Sequence, residues 1–199
     1  MHRITPQLPP NGKKVYHVQD EESLVRRAQQ NEQEAFAQLY ESYFDKIYRY
    51  VAIRLGDKME AEDVTQQVFL NALRSISSFK WKGIPFSAWL FRIAHNQVVD
   101  YYRRKKRTAV PLDESLASKD DNPQLLAEQK LDIEKLLSAT KRLTEAQREV
   151  ISLRFAGGLS IAEVAKVMDK SQGAIKALQH SAIVALRKTL WMTENEQRI

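Results

Sequence analysis

Residues 86–107 read FSAWLFRIAHNQVVDYYRRKKR and end in five consecutive cations, Arg103 to Arg107. The apolar positions Phe86, Trp89, Leu90, Ile93, Ala94 and Tyr101 advance mostly by three and one, which sets them on one stripe of a 3.6-residue helix. Arg92, Asn96, Arg103 and Arg104 fall mainly off that stripe. Pro85 or Ser87 can start the helix, because proline suits a first turn and lacks only an N–H that would be orphaned there. The basic run ends it, where cations meet the negative pole of the helix dipole. One side of such a helix lies against a folded core and the other offers cations to a polyanion. A solvated basic terminus has the same pattern, so the rest of the chain decides.

Upstream, Phe36, Leu39, Tyr40, Tyr43, Phe44, Ile47, Tyr48 and Val51 keep a helical period from Glu34 to Leu55, with Gly56 as the stop. A shorter helix precedes it, with Asp20 as the expected N-cap. Another is expected from Glu60 to Ser75, with Val64, Val68, Phe69, Ala72, Leu73 and Ile76 on its apolar face. A loop, Ser77 to Pro85, then leads into the basic helix. Four helices and no plausible strand pair predict a compact bundle over residues 20–107, preceded by a loose arm at 1–19.

Residues 108–123, TAVPLDESLASKDDNP, contain two prolines and no lasting period, which marks an acidic, flexible linker. Beyond it, over 124–199, Leu125 to Thr140 is amphipathic. Thr144 and Gln147 form a capping box for a fresh helix. Ser160 caps a helix carrying Ile161, Val164, Ala165 and Met168. After a turn at Asp169 and Lys170, Ser171 caps another with Ile175, Leu178, Ala182 and Leu186 facing inward. Two short helices, a tight turn and the small Ala165 near the crossing describe a helix-turn-helix. The predicted fold is all-α: two helical domains joined by the acidic linker.

Charge is unevenly spread along the 199 residues. Residues 1–110 hold 18 Lys/Arg against 12 Asp/Glu, 111–140 hold 3 against 7, and 141–199 hold 10 against 6. Two basic blocks flanking an acidic middle suit a polyanion gripped in two places, although an anionic membrane surface would also attract them. The chain has no cysteine, which excludes disulfides, thiolate zinc sites and cysteine nucleophiles. No apolar stretch is long enough to span a bilayer, and the polar start MHRITPQLPPNGKK lacks a signal-peptide core, so we expect a cytoplasmic protein without membrane insertion.

Two blocks of residues carry a family resemblance. Asp63 to Phe69 (DVTQQVF), Phe86 to Asn96 and Asp100 to Arg104 closely resemble region 2 of bacterial sigma-70-type factors of the extracytoplasmic-function (ECF) group. Leu143 to Ile151, Gly158 to Ala165 and Gly173 to Lys176 resemble region 4 of the same group. The likeness covers about residues 20–107 and 125–190, in family order. It implies a dissociable specificity subunit of RNA polymerase that recognises the promoter −10 and −35 elements and promotes melting and transcription initiation. Its implied partners are core polymerase, through the β′ clamp helices and the β flap, promoter DNA and an anti-sigma factor. It implies no cofactor, no metal and no small-molecule substrate.

The resemblance also implies residue roles. Asp63, Gln66, Gln67 and Phe69 are expected to dock on the polymerase; Gln67 stands where the family usually has Glu, which alters one charged contact. Lys80, Trp81 and Lys82 fall in the loop that captures an unstacked −10 base, with Trp81 as the stacking platform and Gly83 permitting close backbone approach. Arg92, Asn96, Arg103 and Arg104 would steer the adjacent strand. Trp81 as a residue that merely closes the bundle is the competing reading. Ser171, Gln172, Lys176, Gln179 and His180 are the polar residues able to reach the −35 element. Family arginines are absent at Leu178, Ser181 and Ile183, so upstream contacts are expected to differ. The linker acids Asp113, Glu114, Asp120 and Asp121 fit either a segment threaded into the polymerase cleft or a solubilising tether.

Two other classes fit parts of the chain. An enzyme would need His95 with Asp100, or Glu60, Glu62 and Asp63, as acid/base or metal groups. Yet His2, His17, His95 and His180 read as isolated, and neither HExxH nor a glycine-rich phosphate loop occurs, so catalysis is not expected. A stand-alone helix-turn-helix dimer explains residues 143–190 but leaves the basic helix and the Asp63 to Phe69 face without a task.

Overall fold

The computed structural model describes residues 18–81, 83–108 and 139–196. The linker acids, Lys82 and most of the amphipathic stretch from Leu125 to Thr140 therefore lie outside the described residues. Among the described residues every regular element is helical. None of these helices is long and apolar enough to cross a membrane.

Helix α1 spans Val18–Gln29, so it begins before Asp20, which is not its N-cap. Asn31, with φ 64°, turns the chain into α2, Gln33–Leu55. Gly56 ends α2 as the sequence predicts, at φ 72°, with its N–H bonded to the Ala52 carbonyl at 2.9 Å. That left-handed conformation is strained for a side-chain-bearing residue and is free for glycine. Helix α3, Lys58–Ser75, starts earlier than the apolar period suggests because Asp57 caps it, accepting a hydrogen bond from the Glu60 N–H at 3.0 Å. A 3-10 turn, Ile76–Ser78, follows. It is tied to α1 by Gln29, whose side-chain amide donates to the Ile76 and Phe79 carbonyls. Helix α4, Phe86–Thr108, is the aromatic-basic helix. These elements enclose Val25, Ile47, Tyr50, Val51, Val68, Leu90, Phe91 and Val98.

The second domain opens with a helical turn at 139–141, then α5, Glu145–Ile151, which begins in the expected Thr144/Gln147 capping box. Its C-terminus widens into a π-turn, Ser152–Ala156, where the Gly157 N–H reaches the Ser152 carbonyl at 3.0 Å. Helix α6, Ile161–Val167, starts in a capping box of Ser160 and Glu163. Asp169, at φ 52°, makes the turn, and α7, Gln172–Glu196, completes the helix-turn-helix. Ile175 and Ala182 are buried as expected, whereas Leu178 and Leu186 are only half-buried.

The two domains pack against each other. Helix α2 lies on the π-turn, and α4 lies on α6. One hydrophobic core runs through both, joining Phe91 and Tyr50 to Val150, Leu153, Leu159, Val164 and Ile175. Gly157 marks the tightest approach: a Cβ there would stand 2.7 Å from the Phe91 ring and 2.8 Å from the Leu153 carbonyl oxygen.

Candidate nucleic-acid interface

On α3 the polar residues Asp63, Gln66 and Gln67 are exposed along one face. Leu70 and Leu73, 42% and 51% exposed, continue that face toward the C-terminus. Leu73 is therefore outside the core, contrary to its apolar spacing. A helix facing two neighbours through Val64, Val68 and Ala72 has no room for a third apolar row, and the period alone does not show which row is left out. Phe69, placed on the apolar face by its spacing and on the polymerase contact by the resemblance, lies in the core. It is 6% exposed, its ring 4.6 Å from that of Tyr40 and 6.2 Å from that of Phe44, so it supports the face from beneath and does not lie on it. Asp63 and Gln67 border a shallow depression shared with Tyr101, Arg104 and Lys105 of α4.

On α4, Arg92, Asn96 and Arg103 form an exposed row at spacings of four and seven. Arg103 pairs with Asp100 at 3.2 Å, and the Lys105 ammonium stands 5.7 Å from the Tyr101 ring centre. Such exposed pairs are weak and leave the cations open to exchange for phosphate. In the preceding loop Lys80 is exposed, and Gly83 takes φ 67°. Trp81 is half-buried, edge-on to Phe79 at 5.2 Å in an aromatic cluster with Phe86 and Trp89. Its indole Nε1 is buried without a hydrogen-bond partner among the described residues. Trp81 thus packs on the bundle with one edge while it lines a cavity of about 650 Å³ at the domain seam.

On α7, Ser171, Gln172, Lys176 and His180 are exposed. Gln179 is half-buried, and its side-chain carbonyl accepts a hydrogen bond from Arg154 Nε at 2.9 Å. Arg154 sits in the π-turn and also donates to the Leu159 carbonyl. Gln179 therefore ties α7 to the π-turn through its side-chain carbonyl. Arg187 and Lys188 extend the exposed side of α7 and were not singled out by the sequence.

The largest omission is a polar cluster at the seam. Glu149 of α5 accepts hydrogen bonds from the Tyr50 hydroxyl at 2.8 Å and pairs with Arg54 Nε at 3.0 Å. His95 Nδ1 lies 2.8 Å from the same carboxylate, so His95 is not isolated. Arg54 also bonds Glu145. Burial pushes the Glu149 carboxyl up, but the His95 contact, the Arg54 charge and the Tyr50 hydroxyl outweigh it and hold the group below the usual carboxylate range. Farther along, the Ser87 hydroxyl donates to Glu163, the same residue that caps α6. Ser87, Phe91 and His95 recur every fourth residue, so one stripe of α4 makes the seam while the Arg92 row points elsewhere.

The chain matches known families over both domains. A family model described as Sigma-70 region 2 matches residues 39–108, and one described as Sigma-70, region 4 matches residues 139–188. The ECF RNA polymerase sigma factor SigW of Bacillus subtilis is 32% identical over 178 residues, covering 83% of this chain and 94% of SigW. The chain belongs to the ECF group of sigma-70 factors. The ECF sigma factor BldN of Streptomyces coelicolor is 43% identical over 170 residues; the match covers 84% of this chain and 64% of BldN. Among solved structures, the sigma factor RpoE in complex with the anti-sigma factor NepR from Bartonella quintana is 25% identical with a TM-score of 0.66, over 79% of this chain and 97% of RpoE. The N-terminal bundle is therefore region 2 and the helix-turn-helix domain is region 4.

Proposed function

We propose that this chain directs core RNA polymerase to a set of promoters, with region 2 in residues 20–107 and region 4 in 124–199. The exposed α3 face, Asp63, Gln66 and Gln67, takes the β′ clamp helices, and Phe69 holds that face in shape. Region 4 adds the contact with the β flap. Lys80, Trp81, Lys82, Arg92, Asn96, Arg103 and Arg104 act at the −10 element, and Ser171, Gln172, Lys176 and His180 act at the −35 element. Melting draws on binding energy alone: unstacking a base costs a few kcal/mol, and a stacking platform returns about 1–3 kcal/mol per base. The activity is binding rather than catalysis, and its place is the cytoplasm. RpoE forms a complex with an anti-sigma factor, and by that likeness an anti-sigma protein joins polymerase and promoter DNA as a partner here.

The observation that carries this reading is the presence of both matched regions, in order, each with polar candidate contacts on an exposed helix face. Purified protein added to core polymerase should start transcription at discrete promoters. A palindromic footprint made by the protein alone, with no transcription, would replace this reading by that of a stand-alone dimeric regulator.

A further inference from the structure

Resting on that reading, we propose that Arg154 sets base specificity through Gln179: by occupying the Gln179 side-chain carbonyl, it leaves Gln179 a donor only, which reads guanine at one base pair of the −35 element.

Arg154 lies in the π-turn Ser152–Ala156, between the capped helices α5 and α6. Its Nε donates to Gln179 Oε1 at 2.9 Å and its Nη1 donates to the Leu159 carbonyl, so the guanidinium is held at two points. Arginine carries N–H donors and no acceptor, so the end of the Gln179 amide that faces it is the oxygen. A free glutamine would leave that orientation open. The Gln179 amide nitrogen has no hydrogen-bond partner among the described residues and is open to solvent. Both of its N–H groups can therefore donate outward.

Gln172, Lys176 and Gln179 advance by four and three along α7 and share one side, while Ile175 is fully buried on the side that packs inward. Gln172 and Lys176 are exposed, and Gln179 flanks them at the edge of the core. A second tie, from Gln147 Nε2 to Ser181 Oγ at 3.1 Å, holds α7 on α5, so the row keeps a fixed angle to the domain. In the major groove an unrestrained glutamine pairs best with adenine: its carbonyl accepts from N6 while its amide donates to N7. With the carbonyl taken by Arg154, adenine loses one of those two bonds. Guanine offers N7 and O6, both acceptors, and cytosine presents an N4 donor that opposes the Gln179 N–H groups. A donor-only Gln179 thus favours guanine over adenine and rejects cytosine.

The test uses the full chain with core polymerase and a promoter pool in which every base pair of the −35 element is randomised, sequenced after transcription. Gln179→Ala should lower a guanine preference at one base pair on the order of 10-fold and leave the other positions as they were. Arg154→Met, which removes the donors, should shift that same position from guanine toward adenine. Arg154→Lys keeps a donor and should keep guanine, which a merely structural role for Arg154 would not link to one base. Should Arg154→Met misfold by circular dichroism, Gln179→Glu replaces it: the side chain then only accepts, and the position should turn toward cytosine. Base preferences unchanged by Gln179→Ala, or guanine retained in a folded Arg154→Met or Gln179→Glu, overturn the inference while the proposed function stands. Absence of promoter-dependent transcription by the unaltered chain would overturn the proposed function, and this inference with it.

Discussion

Arg54 of α2 and Glu149 of α5 meet 3.0 Å apart, almost fully buried, across the boundary between region 2 and region 4. Each is costly to bury alone. Together with Tyr50 and His95 they turn two separately plausible helical domains into one closed body.

Replacing Glu149 by Leu should therefore weaken the packing of the two regions, by at most ~3–5 kcal/mol, because Arg54 loses its buried partner and keeps only the exposed Glu145. The double replacement Arg54→Met with Glu149→Leu should regain most of that loss. Thermal unfolding of the parent, Glu149→Leu, Arg54→Met and the double variant, followed at a label on each region, completes the cycle. A double-variant loss equal to the sum of the two single losses would mean that the pair is not coupled.

Acid should open the seam. The folded Glu149 carboxyl lies below its unfolded value, so its contribution is fully present above that unfolded value, ~4.3, and is lost as pH falls through the lower folded value. Arg54, Tyr50, His95 and Glu145 are the charged and titratable groups around it. Interregion distance should hold steady from pH 7 to about pH 4.3 and lengthen below it, and Glu149→Gln should remove that acid step. A seam that stays shut at pH 3 would refute the assignment.

Asp63→Ala with Gln66→Ala should weaken binding to core polymerase by ~1–3 kcal/mol with helicity unchanged, since both side chains are exposed and hold no core position. An unchanged titration curve would remove α3 from the polymerase interface.

Lys176→Ala should lower promoter affinity and reduce the slope of log K against log salt by about 0.9, the share of one phosphate contact. A loss confined to one base position would mean that Lys176 reads sequence.

Trp81→Ala should spare closed-complex formation and impair opening by roughly 5- to 150-fold, the equivalent of one stacked base at ~1–3 kcal/mol. Permanganate reactivity of unpaired thymines reads this directly. A pre-melted bubble should restore part of the loss. If thermal stability and polymerase binding fall together with opening, the contact of Trp81 with Phe79 is its main role.

What the sequence by itself determined is local. Gly56, Thr144 with Gln147, and Ser160 with Glu163 set helix ends because each acts within one turn of its own backbone. The Asp63 to Phe69 and Phe86 to Arg107 patterns place their polar rows outward for the same reason, and their family likeness supplies the task. Even so, the period could not decide between Phe69 and Leu73, since both lie at the margin of the α3 apolar stripe. Packing against Tyr40 and Phe44 takes Phe69 in and leaves Leu73 out. Only the tertiary structure decided the seam. Glu149 sits in an ordinary capped helix, and its partners stand 99 residues away at Tyr50 and 54 away at His95, with no periodic relation to it. Burial of a charge depends on which surface docks over it, and that choice is made by the shape and charge of two assembled domains, which no window of local sequence contains.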